Sequence, residues 1–234
     1  WGGIWGQVTL EARGGAWRDQ FQVRAKAATG AVTVTARLCG APAALTEASL
    51  EILDAEGAVV ASAKGAGPFA PDGTVALTCT VAAPKLWTPD TPDLYTARLT
   101  VASPKGAVDE TTSRFGFRDI ETRGPNFYLN GARFFLRGYG DDCVYPKLLA
   151  APSNKEVYLE RLRVIKHYGF NGVRHHSTIL PPEYFEACDE AGILVQPELP
   201  IAYQPFYERA KGPAPALYHT ERAAAIVRLR NHPS

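Results

Sequence analysis

The chain has 234 residues, 46% of them hydrophobic, and its 25 Lys and Arg against 24 Asp and Glu leave a formal net charge of +1. That is apolar material enough for a packed core in one or two domains, while the balanced charge, without a basic run, argues against nucleic acid as a partner. No apolar stretch approaches the roughly 20 residues of a bilayer-crossing helix, so no membrane partner is expected, and the four cysteines (Cys39, Cys79, Cys143, Cys188) lack metal or redox spacing.

Trp1 to Arg13 are rich in Trp and Gly, then alternate apolar and polar side chains through Val8 and Leu10, the pattern of a strand. From Gln20 to about Arg118 short alternating runs succeed one another: FQVRAKA, AVTVTARL, ASLEILDA, GAVVASA, TVALTCTV, LYTARLTV and AVDETTSRFGF. Turn residues such as Gly57 and Asp72-Gly73 part them, and no amphipathic helix interrupts them, which predicts an antiparallel sandwich of the immunoglobulin-like type. Cys39 and Cys79 fall in two of these strands, where free buried thiols are the commoner outcome. The proline-rich PKLWTPDTPDL is an irregular crossover, with Trp87 expected to plug one end of the sandwich.

After Arg118 the character changes. NFYLNGARFF reads as a hairpin turning at Asn130-Gly131, and its second arm runs on as the apolar strand Phe134 to Arg137, ending in Gly138-Tyr139-Gly140-Asp141-Asp142. Ser153 to Tyr168 reads as a helix, with Ser153 and Glu156 as a capping box, Tyr158, Leu162 and Ile165 on one face, and Gly169 as terminator. FNGVR is a second strand, Pro182 to Ala191 a second helix and ILVQPEL a third strand; a proline-broken loop from Pro200 to Pro215 leads to a third helix ending near Arg230. Strands alternating with helices predict the start of a parallel α/β domain. An eight-fold barrel takes about 250 residues, so an excerpt of a longer polypeptide, or completion by other chains, is expected.

In parallel α/β sheets ligands meet the protein beyond the carboxyl ends of the strands. Arg174, His175 and His176 stand at one such end and Glu198 at another. Guanidinium and imidazole donate while carboxylates accept, a set suited to an oxygen-rich ligand. The plain alternative is an Arg174–Glu198 ion pair tying two strand ends together, with the histidines as packing. A metal site on His175, His176 and Glu198 is disfavoured, because adjacent strand residues point to opposite faces.

The order GIWGQVTLE, PKLWTPDTPDLYTARL, GFRDIETRGPNFYLNGARFFLRG, YGFNGVRHHS, CDEAGILVQPE and RNHPS resembles glycoside hydrolase family 2, the family of β-galactosidases, β-glucuronidases and β-mannosidases. The resemblance implies a multidomain fold: residues 1–17 as the last strand and linker of a preceding jelly-roll sugar-binding domain, 18–119 as the immunoglobulin-like β-sandwich, and 120–234 as the first βα units of an incomplete (β/α)8 TIM barrel. It implies part of an exo-acting retaining glycoside hydrolase cleaving terminal β-linked sugars, with the acid/base and nucleophile Glu beyond residue 234 and no catalytic residue within this stretch. Arg174, His175, His176, Asp142, Glu198 and Asn231 are then the substrate-binding residues, carbohydrate is the partner, no cofactor or metal is called for, and a homo-oligomer is compatible. Asp142 stands where many members have His, and Ser177 replaces a His three residues after the Arg. Both changes touch groups that meet sugar hydroxyls, so no one sugar is implied. Asp141-Asp142 as a solvated loop is the competing account of that pair. The competing function is a non-catalytic carbohydrate-binding or structural module, and the compartment is open among bacterial cytoplasm, periplasm and secretion.

Overall fold

The computed structural model describes residues 8–12, 15–40, 44–67, 69–70, 72–199 and 214–234. They form two compact units, one mainly Thr9–Arg133 and the other mainly Phe134–His232. Among the described residues no helix is long and apolar enough to cross a membrane.

The first unit is antiparallel. Strands β1 (Ala16–Ala25), β2 (Ala31–Gly40) and β5 (Thr74–Thr80) form one sheet in the order β1-β2-β5; β3 (Glu47–Leu53), β4 (Val59–Ala66), β6 (Tyr95–Ser103) and β7 (Gly106–Phe115) form another in the order β4-β3-β6-β7. All seven alternating runs of the sequence are strands. Period-two alternation sends every second side chain inward: Val32, Val34, Ala36 and Leu38 from β2 meet Ala48, Leu50 and Ile52 from β3 and Tyr95, Ala97, Leu99 and Val101 from β6 in one core. Burying each of the larger aliphatic side chains is worth about 1.5–3 kcal/mol. Trp87 is fully buried, and its amide donates to the Phe117 carbonyl at 2.9 Å. The cysteines are free; Cys79 opposes Val32, at the far end of β2 from Cys39. Residues 8–12 are in no strand and Val8 and Leu10 are exposed, so the expected N-terminal strand does not extend through them; Trp1 to Gln7 lie outside the described residues.

A small sheet closes this unit: β8 (Ile120–Arg123), β9 (Asn126–Leu129) and β10 (Ala132–Phe134), in the order β10-β9-β8. Asn130 (φ 51°) and Gly131 (φ 81°) make the tight turn that their residue types favour. Strand β8 was not legible in the sequence, because all four of its residues are exposed and carry no apolar alternation.

The second unit is parallel. Strands β11 (Gly138–Asp141), β12 (Gly172–His175) and β13 (Leu194–Gln196) lie side by side in the order β11-β12-β13, with α1 (Lys155–His167) and α2 (Pro182–Ala191) as the crossovers and α3 (Ala214–Leu229) after β13. Tyr158 and Leu162 of α1, Val173 of β12, and Tyr184, Phe185, Ala187 and Cys188 of α2 share its core, with Ile165 packed against it. Gly192 closes α2 in the left-handed conformation, its amide bonded to the Cys188 carbonyl. The third helix ends one residue before Arg230, as expected, and the loop from residue 200 to 213 lies outside the described residues.

Two expectations are corrected here. The first parallel strand is Gly138–Asp141, not Phe134 to Arg137. Strand position follows hydrogen-bond register, and the buried Asn171 sets it: its Oδ1 accepts from the Arg137 amide at 2.7 Å, and its Nδ2 donates to the Phe135 carbonyl at 3.0 Å. Leu136 lies over Gly172, where an added Cβ would sit 2.5 Å from a Leu136 methyl. The α1 cap is Asn154 rather than Ser153: its Oδ1 accepts from the Glu156 amide at 3.0 Å, an N-cap as good as serine one residue closer to the helix.

Candidate active-site rim

The shift of β11 decides the fate of the two aspartates. Asp141, now the last strand residue, turns inward to 7% exposure and pairs with Arg161 of α1 at 2.7 Å, while also accepting from the Cys143 amide. Asp142 is the next residue and faces solvent, where its Oδ1 lies 3.1 Å from Nδ1 of His176. The solvated-loop account therefore fits neither residue fully: one is a buried structural ion pair and the other an exposed group with a histidine partner.

Strand β12 ends in Arg174 and His175, with His176 directly after it, and alternation divides the three. Arg174 and His176 are exposed, whereas His175 is completely buried. The expectation that His175 lines a pocket is thus corrected: its ring packs 4.7 Å from Tyr184 and 6.3 Å from Phe185, both on α2. Burial pushes its imidazole down to about 4, so it is neutral near neutral pH.

Just past β13, Glu198 reaches back to the end of β12. Its Oε1 accepts from Arg174 Nε at 2.5 Å, its Oε2 from the Ser177 amide at 3.0 Å, and its own amide donates to the Thr178 carbonyl. The Ser177 amide first, then Arg174 and His176, hold the Glu198 carboxyl below its ordinary range, so it stays an acceptor-only carboxylate. The Arg174–Glu198 ion pair allowed by the sequence is therefore present, and half of the Arg174 side chain still faces solvent. Four of the six expected residues (Arg174, His176, Asp142 and Glu198) form two bonded pairs at neighbouring strand ends. Among the described residues no cluster of three or more His, Cys, Asp or Glu is arranged to hold a metal.

Backbone strain gathers at the same ends. Of the five non-glycine residues with positive φ among those described, Cys143, Leu149 and Ser177 lie in the loops after β11 and β12. Such conformations persist where surrounding structure holds them, and they cluster at functional sites.

Residues 19–118 match the model of Glycosyl hydrolases family 2. A putative β-glucuronidase of Formosa agariphila is 29% identical over 211 residues, covering 88% of this chain and 20% of that protein. A β-galactosidase of Bacteroides ovatus is 31% identical over 192 residues, 77% of this chain and 22% of its own. By these matches the chain is similar to glycosyl hydrolases of family 2. It spans about a fifth of the length of these two relatives. In fold it resembles a β-glucuronidase of Bifidobacterium dentium, with a TM-score of 0.79 over 94% of this chain and 36% of that one at 22% identity. A family 2 member from Bacteroides cellulosilyticus gives a TM-score of 0.75 at 25% identity, over 92% and 29% of the two chains.

Asn231, the sixth expected residue, sits half-buried after α3. The segment around it is anchored by a group that sequence reasoning missed. Asp189 of α2, 1% exposed, lies 2.6 Å from His232 Nδ1 and accepts from the Ser234 amide at 3.1 Å, while the Ser234 carbonyl accepts from Val195 of β13 at 2.8 Å. A carboxylate on the apolar side of a predicted helix was the available signal, since a buried charge needs partners. Arg161, on a helix face otherwise read as packing, was the corresponding signal for Asp141.

Proposed function

We propose that this chain is part of an exo-acting retaining glycoside hydrolase that cleaves terminal β-linked sugars, and that it supplies the rim that grips the sugar. On this reading residues 1–17 end a jelly-roll domain, 18–119 are the immunoglobulin-like sandwich, and 120–234 open a (β/α)8 barrel whose acid/base and nucleophile Glu come from polypeptide beyond residue 234. The observation that carries it is the pair of bonded couples, Arg174–Glu198 and His176–Asp142, at the carboxyl ends of adjacent parallel strands. Support comes also from the names of the relatives, a β-glucuronidase and a β-galactosidase.

The chemistry assigned to these residues is binding and orientation. Arg174 and His176 donate to sugar oxygens, and Glu198 and Asp142 accept from hydroxyls. Glu198, fixed on both oxygens by Arg174 and the Ser177 amide, is a preorganised acceptor that loses little freedom when substrate arrives. Such contacts help catalysis where they strengthen in the transition state.

The test uses the full-length polypeptide and a panel of aryl β-D-galactosides, glucuronides and mannosides. One of these is hydrolysed by the native protein, and Arg174→Ala lowers kcat/KM about 100-fold, the equivalent of a charge-assisted hydrogen bond plus misplacement of Glu198. Full activity in Arg174→Ala removes the rim from the active site.

A further inference from the structure

We infer that the cleft beside Asp142 seats an apolar leaving group, so that the substrate is an alkyl or aryl glycoside rather than a sugar joined to a second sugar. This rests on the glycosidase reading above. The cleft measures about 560 Å³ and lies between the loops that follow β11 and β12, within the size range of small-molecule sites, about 300–1,000 Å³. Val144, Tyr145, Leu149, Ile179 and Leu180 are among its walls, no lining residue is cationic, and Asp142 is the one acidic member. A charged or hydroxyl-rich occupant finds little to bond there.

The loop after β11 displays its apolar side chains instead of burying them. Val144 is 65% exposed, Leu148 54% and Leu149 61%. Leu149 is also held at φ 63° by a turn in which the Leu148 and Leu149 amides both donate to the Tyr145 carbonyl. A leucine in a strained backbone that adds little to the core points to a role at the surface. The cleft is continuous with the rim: Asp142 is both a cleft wall and the partner of His176, and Thr178 both lines the cleft and accepts from the Glu198 amide. A sugar held by the rim therefore has this cavity as its neighbour.

The probes are the methyl and hexyl 1-thio-β-D-glycosides of galactose, glucuronic acid and mannose, which resist hydrolysis, measured as competitive inhibitors of the full-length protein. For the sugar the protein accepts, the hexyl compound inhibits at least tenfold more tightly than the methyl compound. Leu149→Asn, which keeps a residue tolerant of positive φ, and Val144→Thr each bring that ratio to within about twofold while leaving the methyl constant unchanged. Equal constants for the two compounds in the native protein, as when another segment of the polypeptide fills the cleft, overturn the inference and leave the glycosidase reading standing. So does a ratio that survives both substitutions. Failure of every glycoside to bind or be hydrolysed overturns the glycosidase reading and this inference with it.

Discussion

Asp189 and His232 meet at 2.6 Å across α2 and the segment that follows α3, with the Asp189 carboxylate almost wholly buried. Through the Ser234 amide the same carboxylate holds the residue whose carbonyl accepts from Val195, so one buried charge docks the end of this stretch onto the edge of β13. Removing the carboxylate leaves the Ser234 amide and the His232 ring without this acceptor, a loss of about 1–3 kcal/mol. Asp189→Ala is expected to loosen this dock, read as faster amide exchange at Val195, while Asp189→Asn, which keeps an acceptor for the Ser234 amide, has a smaller effect. Unchanged exchange in Asp189→Ala would mean the dock is held by packing alone.

His175 makes the second unit sensitive to acid. Its imidazole is buried among Tyr184 and Phe185 and lowered to about 4, with Asp141 and Glu198 favouring its protonation and Arg161 opposing it. Below the ordinary imidazole value of about 6.5 the unfolded chain binds a proton that the folded one refuses. Stability is therefore undiminished above about pH 6.5 and falls as pH drops to about 4, by on the order of 3 kcal/mol. His175→Phe removes this component: unfolding by denaturant at pH 7 and pH 4.5 should differ less in the variant than in the native protein, and an equal difference would contradict the burial of the ring.

Glu198 has the opposite sign. Its carboxyl is held low, chiefly by the Ser177 amide and then by Arg174 and His176, so the Arg174–Glu198 tie is present above the ordinary carboxyl range and lost only as pH falls through the lowered value. Glu198→Gln keeps the shape and removes the charge. Its expected signature is a loss in kcat/KM of about tenfold to 100-fold with the unfolding midpoint little changed, since the pair is substantially exposed. A large loss of stability with activity preserved would make the pair structural.

The cap of α1 separates two neighbours. Asn154→Ala should destabilise by about 1 kcal/mol, because the Glu156 amide loses its acceptor, while Ser153→Ala should cost close to nothing. Denaturation midpoints of the two variants check this directly, and the reverse order would restore the capping box to Ser153.

The first unit was legible in the sequence because its stability is written locally. Alternation along β2, β3 and β6 dictates which side chains face inward, and Asn130-Gly131 dictates a turn, whatever the rest of the chain does. The α1 and α2 faces and their glycine terminators were legible for the same reason, at a period of 3.6. The pairing of Arg174 with Glu198 across two strand ends was also within reach, since parallel strands bring their carboxyl ends together.

What tertiary structure alone decided is which polar groups point where. Register around Asn171 moved β11 past its apolar residues and sent Asp141 into the core and Asp142 to the rim; no local propensity encodes that choice, because it depends on hydrogen bonds to a strand more than thirty residues away. The side of the sheet that α1 and α2 cover turned His175 inward and left Arg174 and His176 outside. Sequence determined the elements and the kinds of chemistry available to them, and packing determined which of those groups meet solvent, since the cost of burying a charge is set only once its neighbours are in place.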